Sequence, residues 1–153
     1  MKKDGRLSGI LHCLLHMAEL GGPATSEWLA QAMKTNPVLV RRLMAGLRDA
    51  GFVASAKGHG GGWVLSCSLE DITLRDIHDA LGTPELLAVG HREENTGCLV
   101  EQAVNTALQH AYNEAEAVLL AHLGSVTLAM LASDFRHRLA ERGRSLSEIS
   151  HHV

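Results

Sequence analysis

Aromatic side chains are nearly absent from this chain. Two Phe, one Tyr and two Trp are all it has in 153 residues. Apolar residues still make up 46% of it. Aliphatic and alanine side chains must therefore build the core, which favours packed helices. No apolar run is long enough to span a bilayer. Nothing after Met1-Lys2-Lys3-Asp4 resembles a secretory leader, so the expected location is the cytoplasm. The three cysteines, Cys13, Cys67 and Cys98, are too few and too far apart for a disulfide framework or a CxxC pair. In a reducing compartment they start as free thiols.

The constellations of an enzyme are missing too. His12-Cys13-Leu14-Leu15-His16 lacks the general-base Glu of a zinc-protease helix. Gly58 to Gly62 is followed by no Lys-Ser/Thr, so it is no phosphate-binding P-loop. No Ser/His/Asp spacing suggests a nucleophile. The chain reads as a non-enzyme.

What is present is organised. The overall charge of −3 hides a division. Residues 1–66 hold eight Lys/Arg against four Asp/Glu, a net +4; the remainder holds six against thirteen, a net −7. A basic first half joined to an acidic second half suits a DNA-binding module attached to a part that avoids DNA.

Apolar periodicity places a first helix over Leu7 to Leu20, with Ser8 as its expected cap and Gly21-Gly22-Pro23 as its stop. A second helix opens at Thr25 or Ser26, where Glu27 suits the positive end of the helix dipole. After the turn at Lys34-Thr35, Asn36 is a good N-cap and Pro37 a good first helical residue. In this third helix Val40, Leu43, Met44 and Leu47 share one face. Val38, Arg41, Arg42, Ala45 and Arg48 fall on the other. Phe52-Val53 and Trp63-Val64-Leu65 read as two short strands around a glycine-rich tip. A fourth helix starts at Thr73, with Asp76 completing a capping box. Thr83 to Gly97 reads as a loop. A long helix spans Leu99 to His122. Along it Val104, Leu108, Ala111, Ala115, Val118 and His122 form a seam of the coiled-coil kind. A short helix from Thr127 and a polar, fraying tail from Arg136 complete the chain.

Helix, helix, tight turn, basic-faced helix and glycine-tipped hairpin is the order of a winged helix-turn-helix. An α-helix fits the major groove of DNA, and Arg41 could pair with guanine O6 and N7. Val38 lies beside it. Lys57, His59 and Gly60 at the wing tip could reach the minor groove or backbone. The other reading of the same pattern is a three-helix module that binds protein.

The stretch SEWLAQAMKTNPVLVRRLMAGLRDAGFVASAKGHGGGWVLSCSLEDITLRDI resembles the Rrf-two family of bacterial regulators, whose branches include IscR and NsrR. Its most specific parts are the GGGW of the wing and the following Ile-Thr-Leu-Arg-Asp-Ile. The likeness covers all but the C-terminal tail. It implies a mainly α fold with a small β-hairpin wing, and a homodimer built on the long helix from Val104 to His122. It also implies a palindromic double-stranded operator, and in most cases repression. Groove contacts carry over to Asn36, Val38 and Arg41, with Arg42 on the same outer face. Phosphate contacts carry over to Thr25 and Ser26, and the wing contact to Lys57. The expected organisation is residues 1–82 for DNA, 83–98 as a sensor loop, 99–135 for dimerisation and docking, and 136–153 as tail.

Many members of that family hold an iron–sulphur cluster on three closely spaced cysteines before the long helix. Here only Cys98 matches, the last of the three, so no cofactor is expected. In such relatives a non-cysteine ligand can come from the first helix of the other subunit, so an alternative is a metal or cluster site drawing on His12, His16 and Cys98, with His91 or an acid as a further ligand. The leading expectation for the signal is a thiol switch at Cys98, alone or paired with Cys13. A small organic effector is a third option.

Overall fold

The computed structural model describes residues 5–87 and 97–143. Its elements in chain order are α1 (Arg6–Leu20), α2 (Ser26–Ala32), α3 (Pro37–Asp49), β1 (Val53–Ala56), β2 (Gly62–Leu65), α4 (Leu74–Ala80), α5 (Leu99–Gly124) and α6 (Leu128–Glu141). A single 3-10 turn at Leu69–Asp71 precedes α4. The fold is mainly helical with one antiparallel hairpin, as expected from the sequence.

Local chemistry sets most helix starts. Thr25 Oγ1 accepts the Trp28 N–H at 3.1 Å, and Asn36 Oδ1 accepts the Leu39 N–H at 2.9 Å. Pro37 then occupies the first turn of α3, where its missing N–H costs nothing. Thr73 and Asp76 form the expected capping box. Ser8 is a correction: it lies inside α1, which opens at Gly5 without a side-chain cap. There Gly9 N–H closes the first turn on Gly5 O at 2.9 Å.

The core gathers Ile10 and Leu14 from α1, Leu29 from α2, Met44 and Leu47 from α3, Ile72 and Ile77, all fully buried. Burying such a side chain is worth roughly 1.5–3 kcal/mol each. The inner stripe of α3 therefore holds its outer face in a fixed orientation. Leu128 of α6 is fully buried in this same core. Two backbone bonds fasten it there. Leu74 N–H donates to Val126 O and Leu128 N–H to Ile72 O, both at 2.9 Å.

The expected fraying from Arg136 is also corrected, because α6 continues to Glu141. Leu139 is buried on its inner side. Arg136 pairs with Glu19 at 3.0 Å, and Arg138 with Asp134 at 2.7 Å. Polar residues there face solvent from a helix that is anchored beneath them. Residues 88–96, which include most of the expected sensor loop and His91, lie outside the described residues, as do 144–153 of the expected tail.

Helix α5 has 26 residues, about 39 Å at 1.5 Å per residue. None of them is buried. Half-buried Tyr112, Leu119, Leu120 and Leu123 mark the side turned towards the rest of the chain. The seam about a quarter-turn round the helix is open, with Val104 at 50% and Val118 at 72% exposure.

Candidate nucleic-acid interface

Helix α3 is the second helix of a helix-turn-helix, and its outer face is basic. Val38 is 71% exposed, and Arg41, Arg42 and Arg48 are exposed beside it. Arg48 pairs with its neighbour Asp49 at 3.0 Å. Arg41 Nη2 donates to Glu27 Oε1 at 2.6 Å, across to α2. Thr25 and Asn36 are exposed at the helix starts, each with its side-chain oxygen accepting a backbone N–H.

The wing pairs Val53 with Leu65, Ala54 with Val64, Ser55 with Trp63 and Ala56 with Gly62. Its tip runs from Lys57 to Gly61, and Lys57, His59 and Gly60 are exposed. Gly60 sits at φ +75 with nothing near it, a turn conformation that favours glycine. Gly62 has a different reason. A Cβ there would lie 2.6 Å from Ala24 O, because the segment before α2 adds to the sheet. Ala24 N–H donates to Trp63 O at 2.9 Å and Trp63 N–H to Ala24 O at 2.8 Å. The glycine run thus serves the hairpin's own packing as well as its exposed tip.

Ser26 departs from the sequence reading. It is buried, and its Oγ accepts the indole N–H of Trp63 at 3.0 Å. That hydroxyl faces inward and holds the wing against α2, so Thr25 is the one helix-start hydroxyl of the pair left at the surface.

The three thiols stand in three environments. Cys98 is exposed at the N-cap of α5. Cys67 is half-buried near Phe52 O. Cys13 is fully buried in the core. Burial pushes its thiol up to about 12. A sealed thiol held protonated is a poor redox partner, which counts against the expected pairing of Cys98 with Cys13.

His12 and His16 stack with ring centroids 4.6 Å apart, and the edge of His16 meets Trp28 at 5.8 Å. Burial, and then His12 nearby, hold His16 below the usual imidazole range. Two imidazoles are half of a tetrahedral site. Among the described residues, no group of three His, Cys, Asp or Glu is placed to hold a metal ion. Cys13 is sealed in the core and Cys98 is exposed at the start of α5, so among the described residues the three thiols of one chain do not converge on one site. Among the same residues no helix is long and apolar enough to cross a membrane.

Two features of this face had no signal in the sequence. The Glu27–Arg41 pair joins residues 14 apart across a turn, and the Trp63–Ser26 bond joins residues 37 apart. No helical or strand period links either pair.

The family model for Rrf2, described as an iron-dependent transcriptional regulator, matches residues 4–134. YwnA of Bacillus subtilis (strain 168), named as an HTH-type transcriptional regulator, is 28% identical over 125 residues, which cover 82% of this chain and 92% of YwnA. A solved regulator structure from Lactobacillus plantarum superposes with a TM-score of 0.71 at 23% identity, covering 87% of this chain and 91% of that one. CymR (YrzC), the global cysteine regulator of Bacillus subtilis, superposes with a TM-score of 0.56 at 26% identity, covering 87% and 98%.

Proposed function

Since the chain belongs to the Rrf2 family of transcriptional regulators, we propose that it acts as a homodimeric repressor on a palindromic operator in the cytoplasm. It is a regulator and not an enzyme. In this reading residues 1–82 read DNA, 83–98 form the sensor loop, and 99–135 hold the dimerisation helix and the short helix docked on the core. The observation that carries it is the outer face of α3. Val38, Arg41 and Arg42 are exposed there on a helix whose other side is locked into the core. The tip with Lys57, His59 and Gly60 offers a second contact, Asn36 joins the groove-facing set, and Thr25 lies at a helix start suited to phosphate.

The dimer reading rests on the open seam of α5. An apolar stripe from Val104 through Leu108 to Val118 is left uncovered along a helix of this length. A second copy would cover it and set two α3 helices about one DNA turn apart, ~34–36 Å. A dimer held on an operator that overlaps a promoter blocks transcription.

The test is binding to DNA from upstream of the chain's own coding sequence. Arg41→Ala should weaken binding by about 1–3 kcal/mol and relax preference at one base pair of each half-site. Lys57→Ala should weaken binding on all sequences alike and lower the salt slope by about 1. An Arg41→Ala chain with unchanged base preference contradicts base reading by α3.

Cys98 carries the signal in this reading. It is exposed where the chain enters the dimer helix. Peroxide oxidises the thiol to a sulfenic acid, one peroxide oxygen passing to sulfur and the other leaving as water with the thiol proton. Oxidised wild type should bind DNA differently from reduced wild type, reversibly with dithiothreitol, and Cys98→Ser should not respond. Wild type that binds alike in both states removes the switch.

A further inference from the structure

Arg41 is not left to choose its own direction. Its Nη2 is held by Glu27 Oε1 at 2.6 Å, with both side chains more than half exposed. An ion pair this open contributes little to folding. Its anchor, however, is well fixed. Glu27 lies in the first turn of α2, next to Ser26, whose hydroxyl is held by Trp63, and two residues after the N-cap Thr25. Ala24, just before, is bridged to β2. The carboxylate therefore projects from a stretch of backbone that the cap, the Ser26–Trp63 bond and the Ala24 bridge hold in place.

We propose that Glu27 is a specificity-determining residue that holds one edge of the Arg41 guanidinium and presents the other edge to a guanine. This rests on the reading of α3 as the DNA-recognition helix. An unheld arginine beside DNA turns to the nearest phosphate, and a phosphate contact carries no sequence information. The guanidinium has five N–H donors in one plane. With one of them taken by the carboxylate, enough remain for the paired contact to guanine O6 and N7. The same carboxylate repels the phosphates of every sequence, correct or not. Its repulsion lowers all binding alike, whereas its positioning of Arg41 rewards only the sequence with guanine in place. The ratio between operator and other DNA rises as a result.

The test compares full-length wild type, Glu27→Gln, Glu27→Ala and Arg41→Ala. The probes are duplexes selected by the wild type from a random-sequence pool, the same duplexes with single base-pair changes, and a scrambled duplex. Gln keeps the acceptor oxygen and loses the charge; Ala loses both. Both Glu27 variants should melt like the wild type and bind the scrambled duplex more tightly. Glu27→Ala should lose about fivefold or more of the discrimination at the base pair where Arg41→Ala loses it. Glu27→Gln should retain most of that discrimination. The proposal is overturned if Glu27→Ala discriminates as the wild type does at every base pair, or if its losses fall where Arg41→Ala has none. A wild type that selects no sequence at all overturns the DNA reading itself, which is a different result.

Discussion

Glutamate in place of both Val104 and Val118 is expected to leave a folded monomer whose operator affinity has fallen by about 10²–10⁴-fold. That range is what joining two half-site contacts in one molecule typically supplies. Both side chains sit on the seam of α5 that the chain itself leaves uncovered, at 50% and 72% exposure. Half or more of each side chain is already in solvent in the single chain, and Glu is a better helix former than Val. The substitution therefore costs the fold little. Against a second copy it is severe, because each seam would bury carboxylates among apolar side chains. Sedimentation should report one chain per particle, and circular dichroism should report the native helix content. A variant that stays dimeric would place the interface elsewhere.

The second large effect is on stability. Trp63→Ala should lower the unfolding free energy by about 3–5 kcal/mol, the range for deleting a buried large aromatic. That is a large part of the ~5–15 kcal/mol a domain has in total. Trp63 is one of five aromatic residues, and it joins three elements. Its backbone bridges to Ala24, its indole N–H donates to Ser26, and its strand pairs with β1. Trp63→Phe keeps most of the packing and removes the indole bond, so its loss should be nearer 1 kcal/mol. Urea unfolding distinguishes the two. Because Trp63 fastens the wing to α2, the Ala variant should also bind DNA more weakly without ever having touched it. A Trp63→Ala chain as stable as the wild type would mean that the wing is not integral to the core.

Features written in local chemistry were legible from the sequence. Asn36-Pro37, Thr73 with Asp76, and the stripe Val40, Leu43, Met44, Leu47 each act within one or two helical turns, and each stands where the sequence placed it. Errors came where one residue type serves two roles. Ser8 and Ser26 both suit a helix start, yet one lies inside α1 and the other turns inward to Trp63. Cys13 is both a thiol and a small apolar side chain. Its spacing with Ile10, Leu14 and Met17 is that of an inward helical stripe, and the core is where it sits. The tail after Arg136 looked polar because the apolar residues of α6 are sparse. Leu128, Leu131, Ala132, Phe135 and Leu139 still recur at helical spacing. The Glu27–Arg41 pair was out of reach, since only the packing of α2 on α3 brings those residues together.

The most direct measurement is a salt titration of the purified chain on labelled duplex DNA from upstream of its own coding sequence. Fluorescence anisotropy would give both affinity and stoichiometry. Two chains should bind per palindrome, with the logarithm of the binding constant falling linearly as the logarithm of salt rises. Absence of binding even at low salt, or binding by one chain with no dependence on salt, would contradict a dimeric DNA-binding regulator.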